Sequence, residues 1–441
     1  MLLVLRCIRD RSDIVVVLAL TLLPVDGTVL GIYAPFWTPI SPWLFLLYTA
    51  MNWKRLPSVY RRFRMFFWMP AALVMLSLYG WVTFGFHWLS AAESLFGILG
   101  ALACLTSLDI AIREKRLDWR GLLHIVIAAY WFAFAVGVVQ WLAIQLDAQF
   151  AIDYFKNLMA RQYVDTDSAW GGGRPQFLFA EPSYIGMHLY GVLLPLMWLA
   201  RGHDAVYARH LRILIIVFAA SSLVMGASTR IVLDSLVALI IVIVEHTQWR
   251  VTKARRSGIL LLGSTLVLSV ASLLLNDRLF SIAQNGMAGD GSFYARIYQS
   301  LGPLMGLIRY PWTLLTGYGA GNIADATHAG ATDAERLLER FSDSSAGAHA
   351  WYGHVNHMNM FTMSGWTSYL VEFGLLGVAL LAIMFILHIT QHAVWSKTTV
   401  CWLLLMVYLY IQFEGYAFYA LPLLVWAIKG LQLDGRRTFS F

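Results

Sequence analysis

The residues in this sequence with chemistry to offer are arginines, histidines and carboxylates standing at the edges of apolar stretches, where an ionisable group is expensive and so asks for a reason. Arg230 lies in Gly226-Ala227-Ser228-Thr229-Arg230 with almost no loop around it, and Asp234 follows four residues on, so the two share a helix face. Either Asp234 neutralises a partly buried arginine as a structural pair, or it orients a guanidinium whose fork binds phosphate oxygens. Arg296, in Ser292-Phe293-Tyr294-Ala295-Arg296-Ile297-Tyr298, reads as an interfacial arginine snorkelling to lipid phosphates or as a second phosphate ligand facing Arg230 across a cavity.

A second group surrounds Gly171-Gly172-Gly173-Arg174-Pro175 and Glu181-Pro182-Ser183. It reads as a capped helix start with a surface arginine, or as a turn presenting Arg174 and Glu181 to a substrate, Arg174 being taken as the only basic residue nearby. A third group is His349, His354 and His357, three histidines within nine residues. No carboxylate or fourth ligand stands at zinc-like spacing around them, so no metal is expected. A histidine as general base, accepting a proton from a sugar hydroxyl, is the stronger idea. Glu372, in Glu372-Phe373-Gly374, is expected to be a buried acceptor between helices, and Glu93, Asp109 and Glu414 are scattered too widely to suggest a proton path.

The elements that must position these groups are membrane helices. The chain has 441 residues, 59% hydrophobic and only 13% charged, where a soluble domain carries about 25% charge. Its mean hydropathy is +0.64. We expect an all-α polytopic protein forming a single integral-membrane domain over 1–441. Stretches of about 20 apolar residues give about twelve transmembrane helices, near 13–31, 36–52, 65–86, 89–111, 121–146, 183–200, 211–228, 229–246, 258–275, 364–388, 398–413 and 415–431. The apolar N-terminal stretch is read as a retained helix, because Pro24-Val25-Asp26-Gly27 is a poor cleavage site.

With a cytoplasmic N-terminus, 23 of the 32 lysines and arginines fall on inside segments, which puts both termini in the cytoplasm. Two long hydrophilic loops, about 147–182 and about 276–363, then face outward, the second with amphipathic helices near Ser292 to Tyr310 and Asp333 to Phe341. The net charge of +7 is dispersed between apolar spans, so no nucleic acid is expected as partner. Cys7, Cys104 and Cys401 suggest neither a disulfide framework nor a zinc site. No internal repeat is visible, which weakens an inverted-repeat transporter.

These motifs resemble those of the O-antigen polymerase and O-antigen ligase superfamily, the Wzy-type and WaaL-type membrane glycosyltransferases, over about 160–390. The resemblance rests on Arg174 to Gly186, on Ala227-Ser228-Thr229-Arg230, on Arg296 followed by Ile308-Arg309-Tyr310-Pro311 and Gly317-Tyr318-Gly319-Ala320-Gly321, on the His-Asn cluster, and on Glu372 to Gly377. It implies a GT-C-like fold with a large periplasmic loop, in the bacterial inner (cytoplasmic) membrane, with its active site periplasmic. It implies metal-independent transfer with no cofactor from an undecaprenyl-pyrophosphate-linked glycan. Arg230 and Arg296 match the family's two essential arginines, which bind the pyrophosphate, and its loop histidine falls at His357 in preference to His354, with Asn359 nearby. His357 lies 15 residues before Glu372, farther than in the family pattern. Arg174 and Glu181 complete the expected substrate site. Trp170, Tyr294, Tyr298, Trp351 and Tyr352 are candidate sugar platforms, though such residues also anchor proteins in membrane lipid. The expected activity is a polysaccharide polymerase using a lipid-linked repeat unit as acceptor, with an O-antigen ligase acting on lipid A-core as runner-up and a flippase or transporter third. The expected protein partners are a chain-length regulator or a flippase.

Overall fold

The computed structural model describes residues 8–32, 38–167, 172–275, 277–340, 346–358, 360, 362, 364–413, 415 and 419–433. Cys7, Trp170, Gly171, Phe341, Asn359 and Glu414, singled out above, lie outside the described residues.

The described residues are mainly helical: α1 (Arg11–Thr21), α2 (Ile40–Met51), α3 (Leu56–Phe84), α4 (Trp88–Asp109), α5 (Trp119–Gln145), α6 (Gln149–Leu158), α7 (Leu194–Arg201), α8 (Ala205–Val224), α9 (Thr229–His246), α10 (Thr252–Leu275), α11 (Asp277–Asn285), α12 (Gly291–Arg309), α13 (Ile323–Leu338), α14 (Ala346–His354), α15 (Gly365–Gln391), α16 (Lys397–Ile411) and α17 (Ala420–Leu433). A two-residue antiparallel pairing, Gly31–Ile32 with Thr38–Pro39, is the only β-ladder among the described residues. Side-chain caps fix several helix starts: Asp118, Asp204, Ser228, Asp290, Ser364 and Ser396 each accept from a first-turn N–H. These satisfy donors that the helix itself leaves open.

Among the described residues, seven segments are long and apolar enough to cross a membrane: Trp53–Phe84, Trp88–Glu114, Trp119–Gln145, Pro182–Arg201, Ala205–Val224, Thr252–Ser272 and Gly365–Gln391. The protein is a polytopic helical membrane protein. The other apolar stretches are also helices, but α1, α2, α16 and α17 are shorter, and α9 carries Arg230, Asp234 and Glu245 within 18 residues.

The stretch expected as one helix over 183–200 is broken into a 3₁₀ turn (Pro182–Tyr184), a π-helical stretch (Met187–Leu193) and α7. Pro195 cannot donate to the carbonyl of Gly191, and the turn before it widens. This segment is the most enclosed of the seven, 89% of it buried inside the bundle, where irregular backbone is tolerated because protein rather than lipid surrounds it. Its Tyr184, Ile185, Met187 and Leu193 sit in the main hydrophobic core.

The long loop contains a helical hairpin. α12 and α13 approach through small residues: a Cβ on Gly306 would stand 2.1 Å from the carbonyl oxygen of Ala326, and one on Gly330 would stand 2.1 Å from that of Gly302. Backbones pack that closely only where side chains are absent or tiny. The first helix spans Gly291–Arg309, close to the expected range, whereas the second begins at Ile323, earlier than expected. Its first turns are alanine-rich and carry weak periodicity.

Candidate functional site

Arg230 occupies the first turn of α9, where Ser228 caps the helix by accepting from the Arg230 N–H at 3.2 Å. That cap fixes the arginine at the level where α9 meets the irregular segment. The side chain is buried, 4% exposed, and its Nε lies 3.4 Å from Asp234 Oδ2. Asp234 Oδ1 accepts from the Tyr408 hydroxyl at 2.8 Å, which holds the carboxylate from α16. The Arg230 Nε and Nη2 have no hydrogen-bond partner. A buried guanidinium normally fills its donors, so these two are available to an anion that brings oxygens.

Arg296 arrives from α12, and its charge acts on the same Asp234 carboxylate. Arg230 and Arg296, 66 positions apart in the sequence, thus both act electrostatically on one acidic group. Gly186 completes the join, because a Cβ there would stand 1.9 Å from Asp234 Oδ2. The Glu181 to Gly186 motif and the Arg230 motif therefore meet in space.

Glu181 does not pair with Arg174. It is salt-bridged to Arg161, and Ser183 Oγ donates to it at 2.8 Å. Arg174 lies over the Tyr163 ring at 5.4 Å. The reading of Arg174 as the only basic residue nearby is corrected: Arg161, 20 residues before Glu181, is the one that pairs with it. Behind this segment, Gln140 Oε1 accepts from the N–H groups of Gln176 and Phe177 at 3.0 and 2.7 Å. Asp26 Oδ1 accepts from Ala180 N–H at 2.8 Å, while its Oδ2 lies 3.0 Å from His188 Nε2. Phe177, at φ +59°, is held in an uncommon backbone region by these bonds.

The three loop histidines are not gathered together. His349 pairs with Glu335 at 2.9 Å on the surface, and His354 Nδ1 lies 2.6 Å from the carbonyl oxygen of Ala350 on its own helix. His357 sits apart from both, 3.8 Å from Asp325 Oδ2, with its ring stacked on His87. Burial keeps the His357 imidazole below its ordinary value against the opposing Asp325 charge, and burial raises Asp325 in turn. Glu372 accepts from Gly321 N–H at 2.8 Å and from the Ser94 hydroxyl, the interhelical acceptor role expected of it.

This second cluster lies away from the arginines. Because Gly306 meets Ala326, Asp325 is level with the Gly306 turn of α12, about ten residues or roughly 15 Å along the helix from Arg296. His357 as general base for chemistry at the arginines is therefore not supported by the spacing. His87, Asp325 and Arg161 were all missed in the sequence; the first two carry the signal of ionisable groups flanking the ends of spans or opening a loop helix.

Tyr298 packs edge-on against Tyr294 and Tyr352 and at a tilt against Trp351, at centroid distances of 5.2, 6.2 and 5.6 Å. The expected sugar platforms pack on one another and form the small core that holds α14 on the hairpin. Searches against protein-family models and against curated proteins return no match for this chain.

Proposed function

We propose that this protein is a bacterial surface-polysaccharide polymerase, a metal-independent glycosyltransferase of about twelve spans and GT-C-like fold. In this reading it works at the periplasmic face of the inner membrane and transfers a glycan from undecaprenyl pyrophosphate to a lipid-linked repeat unit. The carrying observation is the buried Arg230 guanidinium with two unbonded donors, in electrostatic reach of Arg296 through Asp234.

The chemistry asks for what such a pair supplies. As the acceptor hydroxyl attacks the anomeric carbon, the bond from that carbon to the pyrophosphate oxygen breaks and negative charge grows on the leaving group. Two preorganised guanidinium groups stabilise that charge most as it develops, and Arg forks match phosphate oxygens bidentately. The pyrophosphate stays on its lipid carrier, and the hydroxyl proton is released to a base. Arg174 and Tyr298, held by Tyr163 and by the aromatic cluster, are given no part in bond breaking.

The test is purified protein with one labelled lipid-linked repeat unit. Growth into longer chains is expected from the wild type, with at least a hundredfold loss in Arg230→Ala and Arg296→Ala. Arg→Lys at either site is expected to lose most activity, since lysine cannot form the fork. Full transfer by the alanine variants would refute the reading. Product only on adding lipid A-core would make the protein a ligase.

A further inference from the structure

Three ligating atoms from three distant segments converge beside the hairpin. His87 Nε2, Asp325 Oδ2 and His357 Nδ1 all lie within 4.8 Å of one another. Asp325 Oδ2 is 3.8 Å from each imidazole nitrogen, too long for a hydrogen bond. Asp325 Oδ2 and His357 Nδ1 are both buried without a hydrogen-bond partner. Ligand atoms held at about 2.0–2.1 Å from a tetrahedral ion stand roughly 3.4 Å apart, so each carboxylate-to-imidazole distance needs to close by about half an ångström.

We propose that His87, Asp325 and His357 bind a divalent transition-metal cation. Two imidazoles and one carboxylate suit zinc or ferrous iron and not the oxygen-loving magnesium or calcium. Three protein ligands leave a further position for water. The His87 and His357 rings are stacked at 3.3 Å with 17° between their planes, so their in-plane lone pairs meet one ion only after one ring turns. His87, with 36% of its side chain exposed, has room to make that turn.

The surroundings orient the ligands. Ser90 Oγ donates to the His357 carbonyl at 2.6 Å, which ties the backbone bearing that ligand to the start of α4. The ion would staple the start of α4, the first turn of α13 and the segment after α14. At roughly 15 Å from the arginines it takes no part in glycosyl transfer, and the proposal stands whether or not that reading does.

The test uses the full-length protein in detergent, stripped with EDTA and titrated with Zn²⁺ alone. The wild type is expected to bind one equivalent and to gain thermal stability. Asp325→Asn and His87→Gln are expected to bind at least about tenfold more weakly, while His349→Ala binds normally. Co²⁺ in place of Zn²⁺ is expected to give a visible ligand-field band in the wild type. Should a variant not fold, that band in the wild type decides. Its absence, Zn²⁺ binding that Asp325→Asn and His87→Gln leave unchanged, or binding lost in His349→Ala would each overturn the proposal.

Discussion

Arg230 and His357 carry opposite expectations at the scale of single residues. Arg230 is buried with unbonded donors, so under the proposed function its truncation removes a charge that the transfer needs. His357 sits beside Asp325, at a level roughly 15 Å along α12 from Arg296, so in the chain-growth assay His357→Ala is expected to keep at least tenfold more activity than Arg230→Ala. Equal losses would return His357 to the chemistry. The Arg230–Asp234 pair was legible in the sequence because four-residue spacing on a helix is a local rule. Arg161 opposite Glu181 and His87 beside His357 were not, because which groups meet across the bundle depends on packing that no local spacing encodes.

Glu372 and Gly374 show how elements are joined. α15 is interrupted at Gly374, with φ +63°, and the Gly317 to Gly321 loop docks there. Tyr318 and Gly319 N–H groups bond to the Val371 and Glu372 carbonyls at 2.8 and 2.9 Å. A Cβ on Gly317 would stand 2.2 Å from the Glu372 carbonyl oxygen, so the two glycine motifs exist for each other. Glu372→Ala leaves the Gly321 N–H without its acceptor, an expected cost of about 1–3 kcal/mol, seen as a lower Tm of the detergent-solubilised protein. Glu372→Gln keeps an acceptor oxygen and is expected to lose less. The sequence showed that these glycine-rich motifs were special. It did not show that one is the socket of the other, nor that the stretch after Pro182 departs from the α-helix, since its hydropathy is that of an ordinary span.

The whole molecule is stitched at one end by charged and polar contacts. Arg9 donates to the Arg116 carbonyl, Lys115 reaches Asp10 and Asp13, Arg62 bridges Asp109 and Glu114, and Arg120 pairs with Asp204. Arg201 pairs with Glu245, and Lys397 donates to the Thr247 carbonyl. The segments that charge counting assigned to one side thus touch one another, so the clustering of these charges was legible in the spacing of the basic residues. Lys115 and Asp13, with side chains 3% and 0% exposed, are the buried centre of that end. Lys115→Met strands the Asp13 carboxylate and is expected to cost about 3–5 kcal/mol; pairing it with Asp13→Asn should recover much of the lost Tm. Burial alone would raise the Asp10 carboxyl, but its bonds to Lys115 and Ser12 outweigh this and bring it down to about 2. Its stabilisation is therefore present above pH 4 and is lost as pH falls towards 2. At the opposite end, Gly27 N–H donates to the Leu178 carbonyl, Ala160 N–H donates to the Gly27 carbonyl, and Asp26 grips Ala180. The stretch bearing Glu181 is cast against a mould laid down about 150 residues earlier. During synthesis that mould leaves the ribosome first, so the stretch bearing Glu181 meets its partners as it emerges, before the loop hairpin has been made.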